Sequence, residues 1–258
     1  MPWECFTLEL VDTHAHLADL SDTPSVIGRA KAAGVKAIIA VAVNLETCMR
    51  NLGLADEYPG YVIPALGIHP TEWFNEDVET TMAFIREHAG SCGAVGEIGL
   101  DYWRKEVRKS RELLERQKSI YVELLQVARE NGLAASIHSR GAWRDALTLA
   151  EEHGPGRAVF HWYSGPADLL PELLDHGYYI SCTPALEYSR ELREAVTRVP
   201  LERILVETDS PVYIRSLARQ SEPADVTITL RYLAEIKGLP SEDIAEATTR
   251  NAETLFSL

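Results

Sequence analysis

The feature that most constrains this chain is an alternation, repeated eight times, of short Val/Ile/Ala-rich runs with longer charged segments carrying apolar residues at helical spacing. Strands of a parallel sheet are apolar on both faces, and each needs a crossover, usually a helix, to reach the next. The alternation therefore predicts strands over Leu8–Thr13, Val35–Val43, Val62–Gly67, Ala94–Gly96, Leu133–Ile137, Ala158–Phe160, Tyr178–Ser181 and Ile204–Val206, each followed by a helix. A chain of 258 residues holds eight such units without remainder. A TIM (β/α)8 barrel takes roughly 250, so the expected architecture is one α/β barrel domain over 1–258.

The clearest helix is expected over Arg111–Asn131, where Leu113, Leu114, Tyr121, Leu124, Leu125 and Ala128 recur three and four residues apart and Gly132 supplies a stop. The tail Ser241–Leu258 reads as Ser241 capping a helix that begins Glu242-Asp243 and ends in Leu255 and Phe256, apolar residues able to dock on the barrel.

No apolar run approaches the roughly 20 residues that span a bilayer, and the N-terminus lacks a basic segment followed by an apolar one. No membrane partner and a cytoplasmic location are expected. Cys5, Cys48, Cys92 and Cys182 lie far apart and form no CxxC, the pattern of reduced packing residues rather than a zinc knuckle or disulfide scaffold. With 25 Lys+Arg against 39 Asp+Glu the net charge is -14, which excludes broad, sequence-independent clamping of duplex DNA. Any nucleic acid must be held locally.

Five of the eight histidines stand at or just after predicted strand ends: His14 and His16 in Val-Asp-Thr-His-Ala-His, His69 in Gly-Ile-His-Pro, His138 in Ser-Ile-His-Ser-Arg and His161 in Val-Phe-His-Trp-Tyr. Glu97 and Asp209 occupy two further strand ends. A closed parallel barrel brings all of these to one mouth, where barrel enzymes keep their sites. His88, His153 and His176 instead lie near glycines at predicted helix C-termini, where a polar or cationic side chain suits the helix dipole. Imidazoles and carboxylates converging from five strands are costly unless they bind cations. His14 and His16, two residues apart on extended backbone, point to the same side and can grip one ion together.

These residues resemble the TatD family of metal-dependent deoxyribonucleases, barrel hydrolases related to the amidohydrolases. The resemblance runs through Asp12-Thr13-His14-Ala15-His16-Leu17, Gly67-Ile68-His69-Pro70, Gly96-Glu97-Ile98-Gly99-Leu100-Asp101-Tyr102, Ile137-His138-Ser139-Arg140, His161-Trp162-Tyr163-Ser164-Gly165 and Glu207-Thr208-Asp209-Ser210-Pro211, and closes on Asn251-Ala252-Glu253-Thr254-Leu255-Phe256. It implies two divalent metal ions (Mg, Mn or Zn), one on His14, His16 and Asp209, the other on His138 and His161, with Glu97 bridging. It also implies that His69 faces the substrate phosphate. One departure is Trp162-Tyr163 after His161, where the family usually has cysteine and phenylalanine, so the pocket wall is expected to differ. Related hydrolases bridge their metals with a carbamylated lysine, but no lysine stands at a strand end here.

The expected catalytic residues are thus Asp209, to orient or deprotonate a water, with Glu97 and His69. Substrate-binding candidates are His69, Arg140 and the cationic stretch Arg104-Lys105-Glu106-Val107-Arg108-Lys109-Ser110-Arg111, of which Arg108 and Lys109 are the expected phosphate grip and a solvated helix start is the alternative. Arg140 follows a proposed ligand by two residues and can hold phosphate through two parallel hydrogen bonds. Trp73, Trp103, Trp143 and Trp162 each follow a strand-end motif and can either stack bases or cover the barrel rim. The expected function is phosphodiester hydrolysis, as an exonuclease on single-stranded or damaged DNA. The alternative is a metal-dependent carboxylic ester or amide hydrolase, such as an aminoacyl-tRNA deacylase. A scaffold without chemistry fits poorly with a full ligand set. DNA or an oligonucleotide is the expected partner, and no stable protein partner is inferred.

Overall fold

The computed structural model describes residues 8–258, so Trp3 and Cys5 lie outside the described residues. Eight parallel strands, β1 (Leu10–Ala15), β2 (Val35–Val41), β3 (Val62–Leu66), β4 (Ala94–Asp101), β5 (Ala134–Arg140), β6 (Ala158–Phe160), β7 (Tyr179–Cys182) and β8 (Ile204–Val206), pair in sequence order. A bridge between Ala15 and Ser210 joins the β8 end to β1 and closes the ring as a TIM barrel. Around it run α1 (Thr23–Ala32), α2 (Leu45–Glu57), α3 (Val78–His88), α4 (Lys105–Lys109), α5 (Arg111–Glu130), α6 (Trp143–His153), α7 (Leu170–Asp175), α8 (Arg190–Arg198), α9 (Val226–Lys237) and α10 (Ser241–Phe256). None of these helices is long and apolar enough to cross a membrane.

Alternation along each strand divides the core in two. Val11, Ala37, Ile39, Val41, Ala65, Ala94, Ala134, Val159, Tyr179 and Leu205 come from all eight strands and fill the inside of the ring. Their neighbours, such as Leu10, Ile38, Leu66, Ile98, Ile137, Phe160 and Ile180, face outward against the helices. The buried inner set is alanine alone on β3, β4 and β5, and the space is completed from below by Leu255 and Phe256 at the end of α10, buried as expected. The same helix clasps the seam: Thr249 Oγ1 donates to Glu9 O (2.7 Å) beside β1, and Asn251 Nδ2 donates to Leu201 O and Ile204 O (both 2.8 Å) beside β8.

Three details differ from the sequence expectation. β4 and β5 continue to Asp101 and Arg140, through polar residues and glycines that read as loop, because those side chains face the mouth while the ladder goes on beneath them. Ser241 is the first residue of α10 rather than its cap; Pro240 precedes the helix and no side chain caps it. After β8 the chain forms a short antiparallel hairpin, β9 (Tyr213–Ile214) and β10 (Arg219–Gln220), which carries too few residues for a periodicity to be read.

Candidate active site

The mouth is built by local devices at strand ends. In β4 the register slips between Val95 and Ile98, and this bulge turns Glu97 inward. The glycines beside it are required: a Cβ on Gly96 lies 2.6 Å from Ser136 Cβ, and one on Gly99, at φ 146°, overlaps the carbonyl of His138. At the seam, Asp209 N donates to His14 O (2.9 Å) and His16 N donates to Ser210 O (2.7 Å), so two strand ends are zipped where three expected site residues lie. Asp209 sits in the left-handed region, at φ 50°, a conformation that aspartate tolerates better than most residues. Asp12 reinforces the seam from below: its buried carboxylate accepts from Thr208 N (2.9 Å) and Thr208 Oγ1 (2.6 Å). Burial nevertheless pushes its pKa up to about 8.

Glu97 stands at the centre with 3 % of its surface exposed. Its Oε2 faces His14 Nε2 and His16 Nε2, each at 3.5 Å. Its Oε1 faces His138 Nδ1 and His161 Nε2, each at 2.8 Å, and His69 Nε2 at 3.2 Å. Asp209 Oδ1 lies 3.6 Å from His14 Nε2 and 3.3 Å from His16 Nε2. The structure therefore places Glu97, Asp209 and all five strand-end histidines together, in two groups that share one carboxylate. Three sets have donor atoms close enough to hold a cation: His14, His16 and Glu97; His69, Glu97 and His138; and His14, His161 and Glu207.

A cation fits what is unsatisfied. His14 Nε2 is buried without a hydrogen-bond partner and aims at two carboxylates from beyond hydrogen-bonding distance. The rings of His14 and His161 stack at 3.9 Å, so protonating both is disfavoured. Burial, and then the His161 charge, push the His14 pKa down. Burial also opposes a charge on His16, but the hydrogen bond to Asp209 and the charge of Glu97 outweigh it and hold that pKa up at about 9. For Glu97, burial is overcome by the surrounding imidazoles, and its pKa falls well below the usual carboxylate range.

The outer nitrogens separate the histidines by role. His14 Nδ1 meets Ser136 Oγ (3.2 Å), His161 Nδ1 faces Glu207 Oε1 (3.5 Å) and His138 Nε2 faces Asp101 Oδ2 (3.5 Å). His161 Nδ1 and His138 Nε2 make no hydrogen bond at that distance, but a carboxylate behind each ring favours a proton on the outer nitrogen once a cation takes the inner one. His69 is reversed: Thr71 N donates to His69 Nδ1 (3.1 Å), so in the neutral ring the proton sits on the inner Nε2. Burial, the largest influence, lowers the His69 pKa and favours that neutral form.

Asp12, Asp101 and Glu207 belong to the strand-end motifs, yet sequence reasoning assigns them no role. Their signal is present in the chain, since each lies at or beside a strand end. Ser136 shares it, two residues before His138, whereas Thr71 lies beyond the Gly-Ile-His-Pro motif and carries no such signal.

The centre opens into a cavity of about 1180 Å³ whose lining includes His16, His69, Glu97, His138, His161 and Asp209. Arg140, Trp103, Trp143 and Trp162 line it too. Trp73 does not: it is 9 % exposed, stacks on Phe74 at 3.9 Å and belongs to the core, so here the rim-packing alternative holds. Arg108 and Lys109 are exposed on α4 and do not line the cavity. Arg104, at the start of α4, is folded back onto the Phe74 ring (4.3 Å) and donates to Thr71 O.

Comparison with known proteins converges on one family. The model of the family described as "TatD related DNase" matches residues 11–257. The human protein named "Deoxyribonuclease TATDN3" is 31% identical over 262 residues, covering 96% of this chain and 94% of its own length. The Bacillus subtilis protein named "Uncharacterized metal-dependent hydrolase YabD" is 32% identical, with 96% and 99% covered. The crystal structure of the TatD homologue YjjV from Escherichia coli superimposes with a TM-score of 0.87 at 27% identity, over 98% of this chain and 99% of that one. With that match over nearly its whole length, and the histidine and carboxylate cluster at its mouth, the chain belongs to the TatD-related DNase family of metal-dependent hydrolases.

Proposed function

We propose that this protein hydrolyses phosphodiester bonds of DNA at a two-metal centre. The observation that carries the reading is the division of five imidazoles between the two oxygens of Glu97. His14, His16 and Asp209 would hold one divalent ion, His138 and His161 the other, and Glu97 would bridge them. When bound, such a pair of ions supplies Lewis acidity toward a phosphoryl oxygen and lowers the pKa of a water.

The chain's own groups do the rest. Asp209, lining the cavity at 8 % exposure, orients the attacking water and takes up its proton. His69 donates from Nε2 to a phosphate oxygen, because Thr71 N occupies its other nitrogen. Glu207 and Asp101, each 3.5 Å behind its ring, would take the outer N–H of His161 and His138 once the inner nitrogens ligate. Arg140, exposed at the rim, takes a neighbouring phosphate, and Arg108 and Lys109 on α4 supply positive field to a strand leaving the cavity.

The test is to incubate purified protein with end-labelled single-stranded DNA in the presence of Mg²⁺, Mn²⁺ or Zn²⁺, and to compare a sample treated with EDTA. Stepwise shortening that stops on chelation and resumes with added metal is expected. Shortening that survives exhaustive chelation, or intact DNA beside efficient release of amino acid from aminoacyl-tRNA, overturns the reading.

A further inference from the structure

Two strongly exposed aromatic rings share the cavity with the histidine cluster. Trp103, after β4, is 63% exposed, and Tyr188, after β7, is 50% exposed. Those strands lie three apart in a ring of eight, so the rings flank the centre from different sides. Apolar surface left in water forgoes the stabilisation of burial.

Trp103 is nevertheless held firmly. Its backbone N–H donates to Asp101 Oδ1 (2.8 Å), and the Arg140 guanidinium lies 4.3 Å above its ring. Gly141, at φ 68°, passes so close that a Cβ there would come within 2.7 Å of the indole Cδ1. Tyr188 is matched with a cation in the same way, by Arg215 at 5.0 Å from the chain just after β9. Asp19, Glu72 and Glu191 line the same cavity, so charge alone cannot hold a polyanion along its walls. The uncharged face of a base can bind there, and aromatic rings stack any base.

We propose that Trp103 and Tyr188 are stacking platforms for unpaired nucleobases on either side of the scissile phosphate. This rests on the phosphodiesterase reading above and narrows its substrate to a single-stranded segment with a base on each flank. Paired bases are excluded because their faces are already occupied within the duplex. Arg140 and Arg215 act as positioning residues that fix each ring and place a cation beside the adjoining phosphate.

The test is equilibrium binding, by fluorescence anisotropy, of metal-loaded protein to three end-labelled ligands of equal length: single-stranded DNA, duplex DNA and an abasic sugar-phosphate oligomer. Wild type should prefer the single strand. Trp103→Ala and Tyr188→Ala should each weaken single-strand binding by roughly 5- to 150-fold. Trp103→Phe should recover most of that loss, and no variant should alter the affinity for the abasic oligomer. If Trp103→Ala fails to fold, Tyr188→Ala and quenching of the Trp103 fluorescence on binding, absent from Trp103→Phe, carry the same comparison. Equal losses on the abasic and base-bearing strands, or a wild type that prefers duplex or binds no strand, overturns the platforms. Base-dependent binding without cleavage refutes the phosphodiesterase reading and leaves the platforms standing. Cleavage with no base dependence does the reverse.

Discussion

What each mouth histidine can do is set by the atom behind it. Carboxylates stand behind His138 and His161 and the Ser136 hydroxyl behind His14, whereas behind His69 the Thr71 backbone N–H donates to Nδ1 and the Thr71 hydroxyl lies beside it. The difference yields a test on single residues. His69→Ala should lower turnover on DNA while metal content, measured by elemental analysis, stays at the wild-type level; a fall in metal content would make His69 a ligand. Glu97→Ala should fail that same measurement, since it removes the one carboxylate both groups face. Asp209→Asn keeps size and removes the base, so kcat should drop roughly 10²- to 10⁴-fold with little change in KM. Near-normal kcat in that variant would remove Asp209 from the proton transfer.

At the scale of elements, α4 offers Arg108 and Lys109 to solvent in a chain whose net charge is -14. Reversing both to Glu should weaken oligonucleotide binding and flatten its salt dependence, by about 0.7 in log-log slope for each phosphate no longer neutralised. An unchanged slope would leave Arg140 and the metals as the whole grip. The segment ahead of α9 is tied to α1 by Arg29, whose Nε and Nη2 donate to the two Glu222 oxygens at 2.8 and 2.6 Å. Those hydrogen bonds, against a smaller opposing effect of burial, pull the Glu222 pKa down. A carboxyl more acidic in the folded than in the unfolded state adds stability at neutral pH, which is lost as the pH falls through its folded pKa. Arg29→Ala should therefore melt slightly below wild type at pH 7 and converge with it in acid, once the pH has fallen below the lowered folded-state pKa of Glu222. A gap that persists in acid would assign the effect to packing of the arginine stem.

For the whole molecule, one helix at the bottom of the barrel holds closed the ring that shapes the mouth at the top. Leu255 is fully buried among inward residues from all eight strands, so Leu255→Ala should cost about 2–5 kcal/mol in denaturant unfolding. A loss under about 1 kcal/mol would mean that the barrel floor repacks freely around the gap.

Eight strands in sequence order, the helix over Arg111–Glu130 and the convergence of His14, His16, His69, Glu97, His138, His161 and Asp209 on one mouth were all legible in the chain, because hydrophobic period and strand-end position are local properties. Local properties could not reveal that β4 bulges at Glu97 or that it runs on through Gly99, since the glycines there answer to backbone on β5. Nor could they tell Trp73 in the core from Trp103 in solvent, or place Tyr188 across the cavity from it. Residues such as Asp12 and Thr208, 196 positions apart, meet only because the seam between first and last strands closes. Composition and period decide which faces turn inward, while the partner of each polar atom is decided by long-range closure of the ring.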